Sequence, residues 1–137
     1  MTKNIGIWID HEKAFIISLM DGHESINRIE SQVESHIKTL GGSRSATPYG
    51  PQEIATERKL TERRKQHLHK YYLKIIDELK DAQKIYIFGP GNAKLELEKE
   101  MRKSKNLAPK IAAVDAADRM TEGQMAAKVR EFFAVKK

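Results

Sequence analysis

The sequence predicts a single α/β domain over residues 1–137, with a mixed sheet and the element order β-β-β-α-β-α-β-α. Three observations carry this expectation. Three short apolar runs, separated by turn residues, fill the first thirty positions. A stripe of Leu68, Tyr71, Tyr72, Ile75, Ile76 and Leu79 follows at helical spacing. Two strand-then-helix units close the chain, opening at Lys84 and Lys110. A meander followed by alternating strands and helices implies one sheet with helices packed on it.

Ile5 to Asp10 reads as the first strand, with Ile5, Ile7 and Ile9 on one face. Lys13 to Leu19 is the second, rich in β-branched and aromatic residues. Asp21-Gly22 is a strong two-residue hairpin signal, and a less regular third strand follows from about Glu24 to Glu30. Residues 34–52 hold glycines, prolines and hydroxyl residues without periodicity, so a long flexible loop is expected there. A structureless stretch of that length inside a domain is often functional. Helical spacing begins after Pro51 and continues to about Lys80. Lys84 to Phe88 is a buried-type strand ending in Gly89-Pro90-Gly91, and Asn92 is placed to N-cap a helix from Ala93 to about Lys105. Lys110 to Val114 is the fifth strand. Thr121 and Gln124 have the spacing of a capping box, opening a last helix whose apolar face is Met125, Val129, Phe132 and Phe133.

A chain of 137 residues can bury roughly two thirds of its unfolded surface, enough for one core. The absence of cysteine excludes disulfides, thiolate metal sites and thiol nucleophiles. No apolar run approaches the ~20 residues of a membrane span, and the start leads into a strand instead of a signal-peptide core. A cytoplasmic protein without membrane contact is the expectation.

Positive charge is concentrated. From His36 to Lys70 there are eight Lys/Arg against three Glu, or +5 of the whole-chain +6. Clustered cations attract a polyanion, whereas dispersed ones serve solubility. The expected RNA-binding residues are Arg44, Arg58, Lys59, Arg63, Arg64, Lys65 and Lys70. They form a phosphate-tracking face whose affinity would depend on salt. The bland alternative is a solvated helix laced by ion pairs. Gly41-Gly42-Ser43 forms the loop tip, where missing side chains would permit close backbone approach to RNA. Tyr71 and Tyr72 could stack on bases, but their place in the apolar stripe favours core packing.

The element order is the one expected of ribonuclease-H-like folds, and four segments sharpen a family resemblance. These are Ile7-Trp8-Ile9-Asp10 with Lys13-Ala14, Gly41-Gly42 before a basic helix, Ile85 to Gly91 with Ala93-Lys94, and Lys110 to Val114 leading to Thr121-Glu122-Gly123-Gln124. Over nearly its whole length the chain resembles the middle domain of archaeal and eukaryotic class I peptide release factors and of Pelota-type ribosome-rescue factors. It also resembles small bacterial proteins associated with the translational machinery. The resemblance implies the ribosome, ribosomal RNA or tRNA as partner, and another translation factor as a further one. It also marks a departure. Release factors carry Gly-Gly-Gln at the loop tip, and that glutamine helps place water at the peptidyl-transferase centre. Here the third position is Ser43, whose shorter hydroxyl should not reach as far.

The remaining motifs are weaker. Gly89, Gly91 and Lys94 form a candidate phosphate or docking turn at a helix N-terminus, without the Gly-Lys-Ser/Thr ending of a P-loop. The competing reading is a tight fold-defining turn with Lys94 on the surface. Asp10 stands where a ribonuclease-H-like nuclease places its first metal-binding carboxylate. The fourth strand ends in Gly89-Pro90 with no acid to join it, so Asp10 reads as a turn residue. His11, His23, His36, His67 and His69 match no zinc spacing. The expectation is therefore a translation factor that binds RNA through a basic helix and a glycine loop, with no catalytic residues, no metal and no cofactor. The alternatives are a diverged hydrolase (a peptidyl-tRNA hydrolase or a ribonuclease-H-like nuclease) and a protein-docking module. The sequence does not set an oligomeric state.

Overall fold

A computed structural model describes residues 3–31 and 50–135, with the start of the first helix described by its backbone alone as far as residue 60. The elements are β1 (Lys3–Ile9), β2 (Lys13–Met20), β3 (His23–Glu30), α1 (Gly50–Asp77), β4 (Lys84–Gly89), α2 (Ala93–Arg102), β5 (Ile111–Ala116) and α3 (Glu122–Val135). The five strands form one mixed sheet in the order β3-β2-β1-β4-β5. β1 pairs antiparallel with β2 and parallel with β4, and β4 pairs parallel with β5. The element order and the mixed sheet are those expected from the sequence, and the strand order is that of ribonuclease-H-like folds.

Period-two alternation sorts the side chains of β1, β2 and β4 onto two faces, and helices cover both. Ile5, Ile7, Ile9, Ala14, Ile16, Ile85 and Ile87 face α1 and α2, where Leu68, Tyr71, Tyr72, Ile75, Leu79, Ala93, Leu97 and Met101 meet them. Trp8, Phe15, Ile17, Tyr86 and Phe88 face α3, against Met125, Ala126, Val129 and Phe133. Each fully buried large side chain contributes about 1.5–3 kcal/mol. A register shift between Ile85 and Tyr86 interrupts the β4–β5 pairing. It turns Ile111 and Val114 to the same face although three positions separate them.

Local signals behaved as their chemistry requires, with two corrections. Asp21 (φ 50°) and Gly22 (φ 82°) both take positive φ, as a primed hairpin turn demands. The Thr121–Gln124 box is closed in both directions. The Gln124 N–H donates to Thr121 Oγ1 at 3.1 Å, and the Thr121 N–H donates to Gln124 Oε1 at 2.9 Å. Asn92 does occupy the N-cap of α2, but its side chain makes no cap bond and its backbone is already near-helical. Its carbonyl instead accepts the Leu95 and Glu96 N–H groups at 3.0 Å. Lys94, expected on the surface, is buried at 9% exposure. Its Nζ turns back to donate to the Gly91 carbonyl.

Two glycines permit close approach. A Cβ on Gly6 would lie 2.2 Å from Val129 Cγ2, so α3 can sit on β1 only with no side chain there. Gly89 has φ +148°, and a Cβ would lie 2.2 Å from the Ile9 carbonyl oxygen of the neighbouring strand. A backbone atom cannot yield as a flexible side chain can, so Gly89→Ala should cost about 3 kcal/mol or more. Denaturant titration against the unsubstituted chain measures this.

Candidate nucleic-acid interface on the first helix

α1 is a helix of 28 residues, about 42 Å long. Among the described side chains of α1, core contact starts at Leu68 and recurs at Tyr71, Tyr72 and Ile75, and Leu79 continues it just past the helix. Ahead of it, Arg63 and Lys65 are exposed and Arg64 is half-buried; Lys70 is exposed beside the core stripe. Arg63 and Lys70 are seven residues apart, so they lie on one line of the helix, away from the core. Arg64 lies on the inward side and close enough to Tyr72 to act on it electrostatically. The expected binding residues thus divide. Arg63, Lys65 and Lys70 present charge outward, whereas Arg64 has interactions within the fold. The Gly41-Gly42-Ser43 tip and Arg44 lie outside the described residues, as do the side chains of Arg58 and Lys59.

Hydrogen bonds missed by the sequence reading seat the inner half of α1. Tyr71 Oη donates to the Asp10 backbone carbonyl at 3.0 Å. The Asp10 carboxylate accepts the N–H groups of Glu12 and Lys13, both at 2.8 Å, confirming it as a turn residue. Tyr72 Oη donates to Glu96 Oε1 on α2 at 2.5 Å, and His11 Nε2 meets the same carboxylate oxygen at 3.2 Å. His69 approaches Glu100, one turn further along α2, at 3.5 Å. Glu96 and Glu100 share a face of α2 by their i,i+4 spacing. That spacing was visible in the sequence, but nothing there said which helix lay opposite. Tyr71 and Tyr72 are core residues at 2% and 4% exposure, so neither is free to stack on a base.

The other candidate groups have structural partners. Tyr86 Oη donates to Asp115 Oδ2 at 3.0 Å, and Trp8 Nε1 donates to the Asp118 carbonyl at 3.2 Å. Among the described residues no three acidic or histidine side chains gather as metal ligands would. At the β4–α2 turn, Gly89 supplies the close approach, Gly91 takes φ 65°, and Lys94 closes the turn on itself.

Burial pushes the Tyr71, Tyr72 and Tyr86 hydroxyls above their ordinary range. The Asp10 charge adds to the effect at Tyr71, the Glu96 hydrogen bond at Tyr72 and the Asp115 hydrogen bond at Tyr86. The folded state thus keeps three protons that the unfolded chain releases near pH 10 (about the free tyrosine value). These groups contribute their full stability below that pH, and the contribution is lost progressively as the pH rises from it toward their raised folded values. Absorbance at 295 nm, followed with circular dichroism, should show these three tyrosines ionising together with loss of structure and not before it.

No family model matches the chain, and no curated protein matches it. Solved structures do. The Pelota protein of Thermoplasma acidophilum superposes with a TM-score of 0.57 at 16% identity, over 97% of this chain and 32% of that one. The Pelota protein of Archaeoglobus fulgidus gives 0.53 at 11%, over 98% and 36%. An archaeal translation termination factor gives 0.50 at 17%, over 98% and 40%. The chain therefore spans about a third of the length of these proteins. At such identities the likeness is one of fold, and the fold shared with Pelota and with a translation termination factor is the one whose order of elements the sequence displays.

Proposed function

We propose that this chain is a translation-factor-like module that binds ribosomal RNA or tRNA on the ribosome. Contact would run through the basic half of α1 and the Gly41–Arg44 loop, without catalysis by the chain itself. The observation carrying this reading is the outward-facing charge of Arg63, Lys65 and Lys70 on a helix seated by its apolar stripe. The fold shared with Pelota and an archaeal termination factor supports the same reading. Guanidinium and ammonium groups along one helix contact phosphates without reading sequence, which suits a structured RNA surface. Ser43, standing where release factors have glutamine, speaks for occupancy of a site over hydrolysis there.

Phosphate contact makes affinity fall with salt, and each lost cation lowers that dependence. Arg63→Glu, Lys65→Glu and Lys70→Glu together should abolish co-sedimentation with ribosomes at low salt. The circular dichroism spectrum and melting temperature should be kept, because none of the three side chains is buried. Arg64 is left in place for its interior contacts. Undiminished co-sedimentation of the triple variant would overturn the assignment of α1.

A further inference from the structure

The two edges of the sheet differ. β5 is six residues long, and its pairing with β4 is broken by a register shift. β3 is eight residues long, unbroken in its pairing with β2, and has neither proline nor lysine. Among the described residues no strand pairs with its outer side. Native proteins blunt such edges with short strands, prolines, bulges or charged side chains, lysine above all; β3 is long and unbulged, and the charges it does carry, Glu24, Arg28 and Glu30, are of both signs. Its central Ile26 is 38% exposed.

The hairpin determines which backbone groups point outward. In a two-residue hairpin the closing pair, here Met20 and His23, exchanges both hydrogen bonds, and bonded pairs then alternate. His23, Ser25, Asn27 and Ile29 therefore bond inward to β2. The N–H and C=O groups of Glu24, Ile26, Arg28 and Glu30 are left facing out. An antiparallel strand added at this edge must match bonded positions with bonded positions, so Ile26 can stand opposite another even-numbered residue only.

We propose that β3 pairs with β3 of a second copy of this chain, antiparallel about a two-fold axis at Ile26, to give a continuous ten-stranded sheet. In that register Ile26 meets Ile26, and Glu24 of each copy stands opposite Arg28 of the other. A shift by two residues one way would put Glu24 against Glu30, and the other way would leave Arg28 opposite the Gly22 turn. Opposite charges directly across a strand pair stabilise it and like charges destabilise it, so the edge is self-complementary in one register. Glu24 is already paired with Arg130 of its own chain, and Arg28 with Glu30 at 2.6 Å while lying over the Phe15 ring. Glu24 and Arg28 are thus held on the α3 side of the sheet, where Arg28 and Glu24 of the second copy would meet them.

Sedimentation equilibrium of the full chain should give a mass approaching twice 15.7 kDa as concentration rises. Ile26→Lys should weaken the dimer by roughly tenfold or more. Arg28→Glu places Glu against Glu, and Glu24→Arg places Arg against Arg, so each variant alone should be monomeric. Mixed one to one, they restore both opposite-charge pairs and should form a heterodimer. Circular dichroism would establish that each variant is folded. A monomer at every concentration, a dimer indifferent to Ile26→Lys, or a mixture that stays monomeric would each overturn the proposal. RNA binding through α1 is a separate property and is not tested by this experiment.

Discussion

Everything in this molecule is arranged about β1, and β1 holds its place through its parallel contact with β4. It has a partner on each side, and its residues from Ile5 to Ile9 are all buried. Its isoleucines serve one core and Trp8 the other. Where β1 ends, the Gly89 backbone comes so close to Ile9 that no side chain could stand between them. This approach brings the exits of both strands together. Asp10 then turns the chain into β2, while Gly91 and Lys94 turn it into α2. Tyr71 reaches the Asp10 carbonyl from α1, and Glu96 is brought to Tyr72 and His11.

The magnitudes separate what folds the chain from what it presents. Burial of side chains such as Ile75, Leu79, Leu97 and Trp8 contributes about 1.5–3 kcal/mol each. Exposed ion pairs such as Lys80–Asp77 and Lys103–Glu100 contribute about 0–1 kcal/mol. Packing therefore anchors α1, through the half beginning at Leu68. Arg63, Lys65 and Lys70 are exposed and lie outside that packing.

The strands and the apolar stripe of α1 were legible because periodicity and burial are the same property seen in sequence and in space. Asp21-Gly22 and the Thr121–Gln124 box were legible because each is closed by its own neighbours. What could not be read depended on distant residues. Asn92 had the chemistry of a cap, but near-helical dihedrals let its carbonyl begin the helix without its side chain. Lys94 looked solvent-bound until the turn gave its ammonium the Gly91 carbonyl. The bulge opposite Ile85 has no local signature, and the bond between Glu96 and Tyr72 exists only once α1 and α2 lie side by side. Of the basic residues, only the tertiary fold distinguishes Arg64, turned inward, from Arg63 and Lys65 beside it.

The measurement that bears most directly on the central claim is RNA crosslinking of the full chain on ribosomes at low salt, with crosslinked peptides identified by mass spectrometry. Crosslinks confined to residues 41–70, and lost as salt rises, are what this account predicts. Crosslinks arising from α3 or the sheet edges, or none at any salt, would contradict it and leave the shared fold as the whole of the likeness.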